Sequence, residues 1–120
     1  MTDKTDRVHI LDRIGKEEVQ SLAQKIWQGE NRVNTKIASE ALAIIREKYE
    51  TDPTFFSGKS AKGIAGGLFY LLGQTYDSVR TQRQIAKSLN TTEMTIRASC
   101  RDWTEFLQNH HRNIHLSNHR

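Results

Sequence analysis

The segment from Ser60 to Leu72, SAKGIAGGLFYLL, constrains the fold more than any other part of the chain. Its serine is a favourable helix N-cap, and the apolar residues that follow fall on nearly every face of a helix. Such a helix is buried, so the segment predicts a central helix around which others pack. Gly63, Gly66 and Gly67 each cost about 1 kcal/mol relative to alanine in a helix, which indicates close approach of a neighbouring backbone. A helix kinked at Gly66 and Gly67 is the alternative.

The other apolar residues recur at helical spacing, with almost nothing that predicts a strand. In the first two helices these residues are Val19, Leu22, Ala23, Ile26, Trp27, Ile37, Ala41, Ile44, Ile45 and Tyr49. We therefore predict an all-α fold of five helices, near residues 16–29, 33–50, 60–73, 81–89 and 92–108.

Residues 81–103, TQRQIAKSLNTTEMTIRASCRDW, contain two helical patterns separated by a few polar residues. Thr81 and Gln84 have the spacing of a capping box, and residues 90–92 supply a turn and a new N-cap. The two helices are either a DNA-reading helix-turn-helix or two core helices joined by a tight turn.

The last helix would bury one stripe and leave a second face outside it. The buried stripe contains Ile96, Cys100, Trp103 and Leu107, and the other face contains Met94, Arg97 and Arg101. Arginine pairs bidentately with guanine and methionine can contact a thymine methyl, so this face suits the major groove. Periodicity alone equally allows Met94 in the core and both arginines in solvent.

Composition and charge narrow the function classes. A chain of 120 residues suits one domain, and a single cysteine cannot form an internal disulfide. No apolar run predicts a signal peptide or membrane span, so we expect a soluble protein in the cytoplasm, or in the nucleus of a eukaryotic host.

The charge is distributed unevenly along the chain. Residues 1–56 carry nine basic and ten acidic residues, whereas residues 57–120 carry nine basic and four acidic residues. The second half favours a polyanionic partner, although proteins that bind no nucleic acid also have such an excess.

Two segments in register resemble a known family. SGKSAKGIAGGLFYLLG, followed by RTQRQIAKSLNTTEMTIRASCRDW, is similar to the second cyclin repeat of archaeal transcription factor B and eukaryotic transcription factor IIB. Those repeats carry a Gly-Lys/Arg-Ser-Pro-x-x-Ile-Ala opening, a Thr-Gln-x-x-Ile/Val-Ala helix and a Val-Thr-Ile/Val-Arg recognition helix. The resemblance runs from about Val19 to Leu107. It implies a five-helix cyclin-like domain with a C-terminal helix-turn-helix that binds double-stranded promoter DNA with the TATA-binding protein.

The resemblance also implies a set of DNA contacts. Met94 and Arg97 would contact bases in the promoter element beside the TATA box. The predicted contacts to the DNA backbone are Lys59, Lys62, Gln82, Arg83, Thr95 and Arg101. The two lysines begin the third helix, where amide groups and lysines together attract phosphate. Met94 replaces a valine that is frequent in the family, so the base preference can differ.

The chain departs from the family in three respects. Ala61 replaces the usual proline, and Gly66 and Gly67 replace alanines, which predicts a looser third helix. The family has a zinc ribbon and two repeats, whereas this sequence has one repeat and no zinc ligands. The chain could be a free-standing paralogue, a viral or plasmid relative, a fragment of a longer factor, or a homodimer that supplies two repeats.

The remaining patterns predict neither catalysis nor a cofactor. Residues 58–60 match the end of a P-loop, but Pro53 replaces its first glycine and no strand precedes it. His110, His111, His115 and His119 could include a metal-binding pair, but no carboxylate or cysteine completes the set, which favours a basic tail. We therefore predict a non-enzymatic chain with an extension at 1–15, a cyclin-like domain at 16–109 and a His-rich tail at 110–120. The function is either DNA binding or that of a cyclin-fold protein-interaction adaptor.

Overall fold

The computed structural model describes residues 14–109, and these residues form five α-helices and one short 3-10 helix. The elements are α1 (Lys16–Ile26), α2 (Asn31–Thr51), the 3-10 helix (Pro53–Phe56), α3 (Ala61–Thr75), α4 (Gln82–Leu89) and α5 (Glu93–Asn109). Residues 14–109 contain no strand, so the all-α prediction is confirmed. The arrangement agrees with a five-helix cyclin-like domain. None of the helices in this range is both long and apolar enough to cross a membrane.

Helix α3 is the central element, as its apolar pattern predicts. Ser60 caps its N-terminus by accepting a 3.0 Å hydrogen bond from the Gly63 amide. Ten of its fifteen residues are buried, and the helix is unbroken through its glycines. It packs most extensively against α5, and it also contacts α1, α2 and α4. The remaining helices therefore share one core built around α3.

The glycines of α3 allow an unusually close crossing with α5. A Cβ atom added to Gly66 would overlap the Ile96 side chain, and one added to Gly67 would overlap the backbone of Ser99 and Cys100. The Gly67 amide also donates a 3.0 Å hydrogen bond to the Ser99 hydroxyl. The interpretation of close backbone approach is therefore confirmed, and the two glycines bring α3 against α5 rather than loosening the helix.

Buried hydrogen bonds orient α5 on this crossing. The Trp103 indole Nε1 donates to the Ile64 carbonyl at 2.7 Å, and the Ser99 hydroxyl donates to the same carbonyl at 3.3 Å. Both side chains are buried, and the Trp103 ring packs edge-on against Phe55 and Phe106. A buried polar group is costly unless it is paired, so these bonds favour one position of α5 on α3 and one rotation of α5 about its own axis.

Helices α1 and α2 close the opposite side of the core, where every residue predicted from their helical spacing is buried. Trp27 ends α1, packs edge-on against Phe69 and donates from its indole to the Ser78 carbonyl at 3.1 Å. Ile14 is also buried, two residues before α1 begins. The core therefore includes the start of the described chain.

Candidate nucleic-acid interface

Helices α4 and α5 are joined by a short turn whose geometry is specified by local hydrogen bonds. Helix α4 begins with the predicted capping box, in which Thr81 and Gln84 each accept a bond from the other's backbone amide. It ends at Asn90, which has a left-handed φ of 57°. The Thr91 amide then donates to the Ala86 carbonyl and the Asn90 amide to the Lys87 carbonyl, which is a Schellman ending.

Helix α5 begins immediately after this turn with its own cap. The Thr92 hydroxyl accepts a 3.1 Å bond from the Thr95 amide. Caps on both sides of the turn satisfy backbone groups that would otherwise lack partners, so the orientation of α5 relative to α4 is well determined.

The two faces of α5 differ sharply in exposure. The residues that pack into the core are Ile96, Ser99, Cys100, Trp103, Phe106 and Leu107. On the other face, Met94 is 73% exposed, the Arg97 side chain is 53% exposed and Arg101 is exposed. A methionine so exposed contributes nothing to the core, which answers the question that periodicity left open. The spacing of these three residues, i, i+3 and i+7, puts them on one helical surface.

Within residues 14–109, Arg97 forms an ion pair with a residue of its own helix. Its Nη2 atom lies 3.3 Å from a carboxylate oxygen of Glu93, one turn earlier, and both side chains are largely exposed. An exposed pair of this kind contributes little to stability. Arg97 therefore lies outside the core, on the same helical surface as Met94.

Two predicted backbone-contact residues make internal contacts. The Gln82 side chain is half-buried, and its amide nitrogen donates to the Cys100 sulfur at 3.6 Å. Burial raises the pKa of the Cys100 thiol to about 11, with the Gln82 bond acting in the opposite direction. The Thr95 hydroxyl lies 2.8 Å from the Thr92 hydroxyl as part of the α5 cap. Both side chains therefore help to position the two helices.

Arg83 is exposed on α4 and lies beside an open groove next to the turn. The groove is lined by Arg83, Ala86, Lys87, Asn90, Thr91 and Glu93. Lys87 follows Arg83 at i+4 and is also exposed, so two cations share this side of α4. Our sequence reasoning missed Lys87, although its i+4 spacing from Arg83 could have identified it.

The two lysines near the start of α3 differ in their surroundings. The Lys59 ammonium donates a 2.6 Å bond to the Phe55 carbonyl and lies 4.5 Å from the centre of the Phe55 ring. Lys59 is therefore engaged by the loop before α3. Lys62 is half-buried in the first turn of α3. That turn lies against the start of α5, since a Cβ on Gly63 would lie 3.6 Å from the Thr95 methyl.

Residues 14–109 contain no cluster of three or more histidine, cysteine or acidic side chains that could hold a metal. The four histidines of the tail and the extension before residue 14 lie outside the described residues. The candidate site consists of α4, the turn that follows it and the exposed face of α5.

Two curated relatives match the chain. It is 31% identical over 81 residues, or 68% of its length, to transcription initiation factor IIB of Methanothermococcus thermolithotrophicus. It is also 31% identical over 75 residues, or 62% of its length, to transcription initiation factor IIB 1 of Thermococcus kodakarensis. The matches cover 23% and 24% of those two proteins, so the chain spans about a quarter of their length.

No protein-family model matches the chain, and neither does a solved structure. The two curated matches agree with the motifs in the sequence and with the all-helical fold. Over about two thirds of its length, the chain is a distant relative of the transcription initiation factor IIB family.

Proposed function

We propose that the chain is a DNA-binding module of the transcription factor B and IIB type, in which α4, the turn and α5 act as a helix-turn-helix. The observation that carries this proposal is the exposed face of α5, where Met94 and two arginines lie opposite a stripe fully packed into the core. A methionine that is 73% exposed and lies beside two arginines on one helical surface suits contact with a partner that is both apolar and anionic, as a DNA groove is.

In the proposed complex, the first turns of α5 enter the major groove, which is wide enough for an α-helix. Arg97 pairs with the O6 and N7 atoms of a guanine, and Met94 contacts a neighbouring base, such as the methyl group of a thymine. Only the first turns need to reach base edges, because the recognition helices of helix-turn-helix proteins read DNA mainly with their N-terminal residues.

Flanking cations bind phosphates and hold the helix in register. Arg83 and Arg101 are exposed on the two helices, and Lys62 lies where α3 meets the start of α5. These contacts supply affinity without sequence information. Gln82 and Thr95 serve mainly to orient the helices, through the bonds to Cys100 and Thr92.

The wider biological function rests on the relatives. Both matched proteins are named transcription initiation factors, which supports a function in transcription initiation. The TATA-binding protein is the partner that the family resemblance implies. Because the chain spans about a quarter of those relatives, it would act with further domains, with a partner protein, or as a homodimer.

Selection from a randomised duplex pool tests the proposal directly. The chain should enrich a defined sequence, and its affinity for any duplex should fall by orders of magnitude between about 50 and 200 mM salt if several phosphates are contacted. Absence of measurable binding at about 50 mM salt, or an affinity independent of salt, would favour a protein-interaction adaptor instead.

A further inference from the structure

Glu93 is an acidic residue in the middle of the proposed DNA-binding surface. It is the first residue of α5, immediately before Met94, and it lines the groove beside Arg83 and Lys87. Its side chain is 44% exposed. A carboxylate in this position repels DNA phosphates, so it weakens binding unless it has a compensating function.

The Glu93 carboxylate holds the guanidinium of Arg97. The two groups are 3.3 Å apart at i, i+4 spacing, with the acidic residue on the N-terminal side, which is the favourable orientation in a helix. Arginine has five N–H donors in a rigid plane, so one bond to Glu93 leaves enough donors for a two-point contact with a base. The carboxylate therefore restricts the guanidinium without using up its capacity to read DNA.

We propose that Glu93 is a specificity-determining residue that acts through Arg97 by holding its guanidinium in the orientation needed for bidentate base contact. The proposal rests on the DNA-binding function proposed above. Without Glu93, the long arginine side chain would explore other rotamers and could reach nearby phosphates, which are contacts independent of sequence. Ordering the side chain before binding lowers the entropy lost on forming the correct contact.

A double-mutant cycle tests this inference. The measured quantity is the ratio of affinities for the duplex selected by the wild-type chain and for a scrambled duplex. We expect Glu93→Ala, which removes the acceptor as well as the charge, to lower this ratio by about twofold, the size of the restraint that an exposed i, i+4 ion pair supplies. In an Arg97→Ala background, the same substitution should leave the ratio unchanged, because no guanidinium remains to be held.

The ratio of the two affinities separates the effect of Glu93 on the Arg97 side chain from the effect of the Glu93 charge on binding. Removing one negative charge should strengthen binding to both duplexes alike, and this effect cancels in the ratio. Glu105→Ala is the matched control, because Glu105 is exposed on the same helix. It lies about 18 Å further along the axis, beyond the Debye length of about 10 Å at 0.1 M salt. This variant should keep the wild-type ratio.

The outcomes distinguish failure of this inference from failure of the proposed function. An unchanged ratio for Glu93→Ala, in a chain that still selects a defined sequence, overturns the inference alone. An equal fall in both backgrounds also overturns it, because Glu93 would then contact a base by itself. A wild-type chain with no sequence preference overturns the proposed function and this inference together. Thermal unfolding of each variant verifies that the fold is intact.

Discussion

The two faces of α5 differ in burial and in the type of side chain that they carry. The inner face is closely packed on α3, with the Ser99 and Trp103 side chains bonded to a backbone carbonyl. The outer face has a methionine, two arginines and one exposed ion pair. Substitutions on the inner face should therefore change stability, and those on the outer face should change binding.

The largest effect is expected where α3 and α5 cross most closely. Gly67→Ala should lower the free energy of unfolding by about 3 kcal/mol, because the new methyl group overlaps backbone atoms of Ser99 and Cys100 and the helices must move apart. Denaturant unfolding measures this change. Gly63→Ala is the matched control, since its methyl would meet only side chains, at 3.3 Å from Ser60 and 3.6 Å from Thr95. Equal stability of the two variants would contradict the proposed importance of the close crossing.

Cys100 makes the stability of the inner face depend on pH, which provides a second test. Its pKa is raised by burial from 9.0 to about 11, so the unfolded chain loses this proton first as the pH rises. Between these values the unfolded state binds fewer protons than the native state, and stability should fall by about 1.4 kcal/mol per pH unit from this group. Below pH 9 the contribution is constant. A Cys100→Ala variant should lack this part of the slope, and an identical slope in both proteins would count against a buried neutral thiol.

Arg97→Ala tests the outer face. We expect it to change the free energy of unfolding by no more than about 0.5 kcal/mol, as for an ordinary surface substitution. It should remove about 1 to 3 kcal/mol of preference for the cognate base pair. Thermal unfolding and a selected-site binding profile, measured side by side with the wild-type chain, give both quantities. A destabilised variant with unchanged sequence preference would defeat the assignment of α5 as a recognition helix.

Alanine substitutions of Lys59 and Lys62 should have the smallest effects. The two variants should differ from each other, although the sequence predicts the same function for both lysines. Lys59→Ala should cost about 1 kcal/mol of stability, because it removes a charged hydrogen bond to the Phe55 carbonyl and a contact with the Phe55 ring. Lys62→Ala should preserve stability, weaken binding to all duplexes alike and flatten the salt dependence by about 0.9 units for one lost phosphate contact. The reverse pattern would assign the phosphate contact to Lys59.

The helices were predictable because their signals are local. All five begin and end within three residues of the predicted bounds, and the capping residues Ser60 and Thr81 have the predicted bonds. Capping and amphipathic spacing depend on residues within a turn or two of each other, so no knowledge of the rest of the fold is needed. The Glu93 and Arg97 pair has the same local character, since i, i+4 spacing alone indicates it.

The candidate site was predicted less completely, because side-chain partners come from other elements. The sequence identified Met94 and Arg97 as lying on the same face, and their exposure agrees with that interpretation. It did not indicate that Gln82 would turn toward Cys100, eighteen residues away. Whether a polar residue faces solvent or a neighbouring helix depends on how the two helices pack, and spacing within one helix carries no such information.

By itself, the sequence determined that this chain would be helical, that its third helix would be central and closely approached by another backbone, and which residues share each face of the last helix. Only the tertiary structure decided that α5 is the helix that approaches α3 so closely, that Met94 lies outside the core, and which cations remain available to a partner. The reason is physical: helix formation depends on neighbours along the chain, whereas the overlap that a methyl on Gly67 would create, and the bond that engages Lys59, depend on atoms brought together by folding.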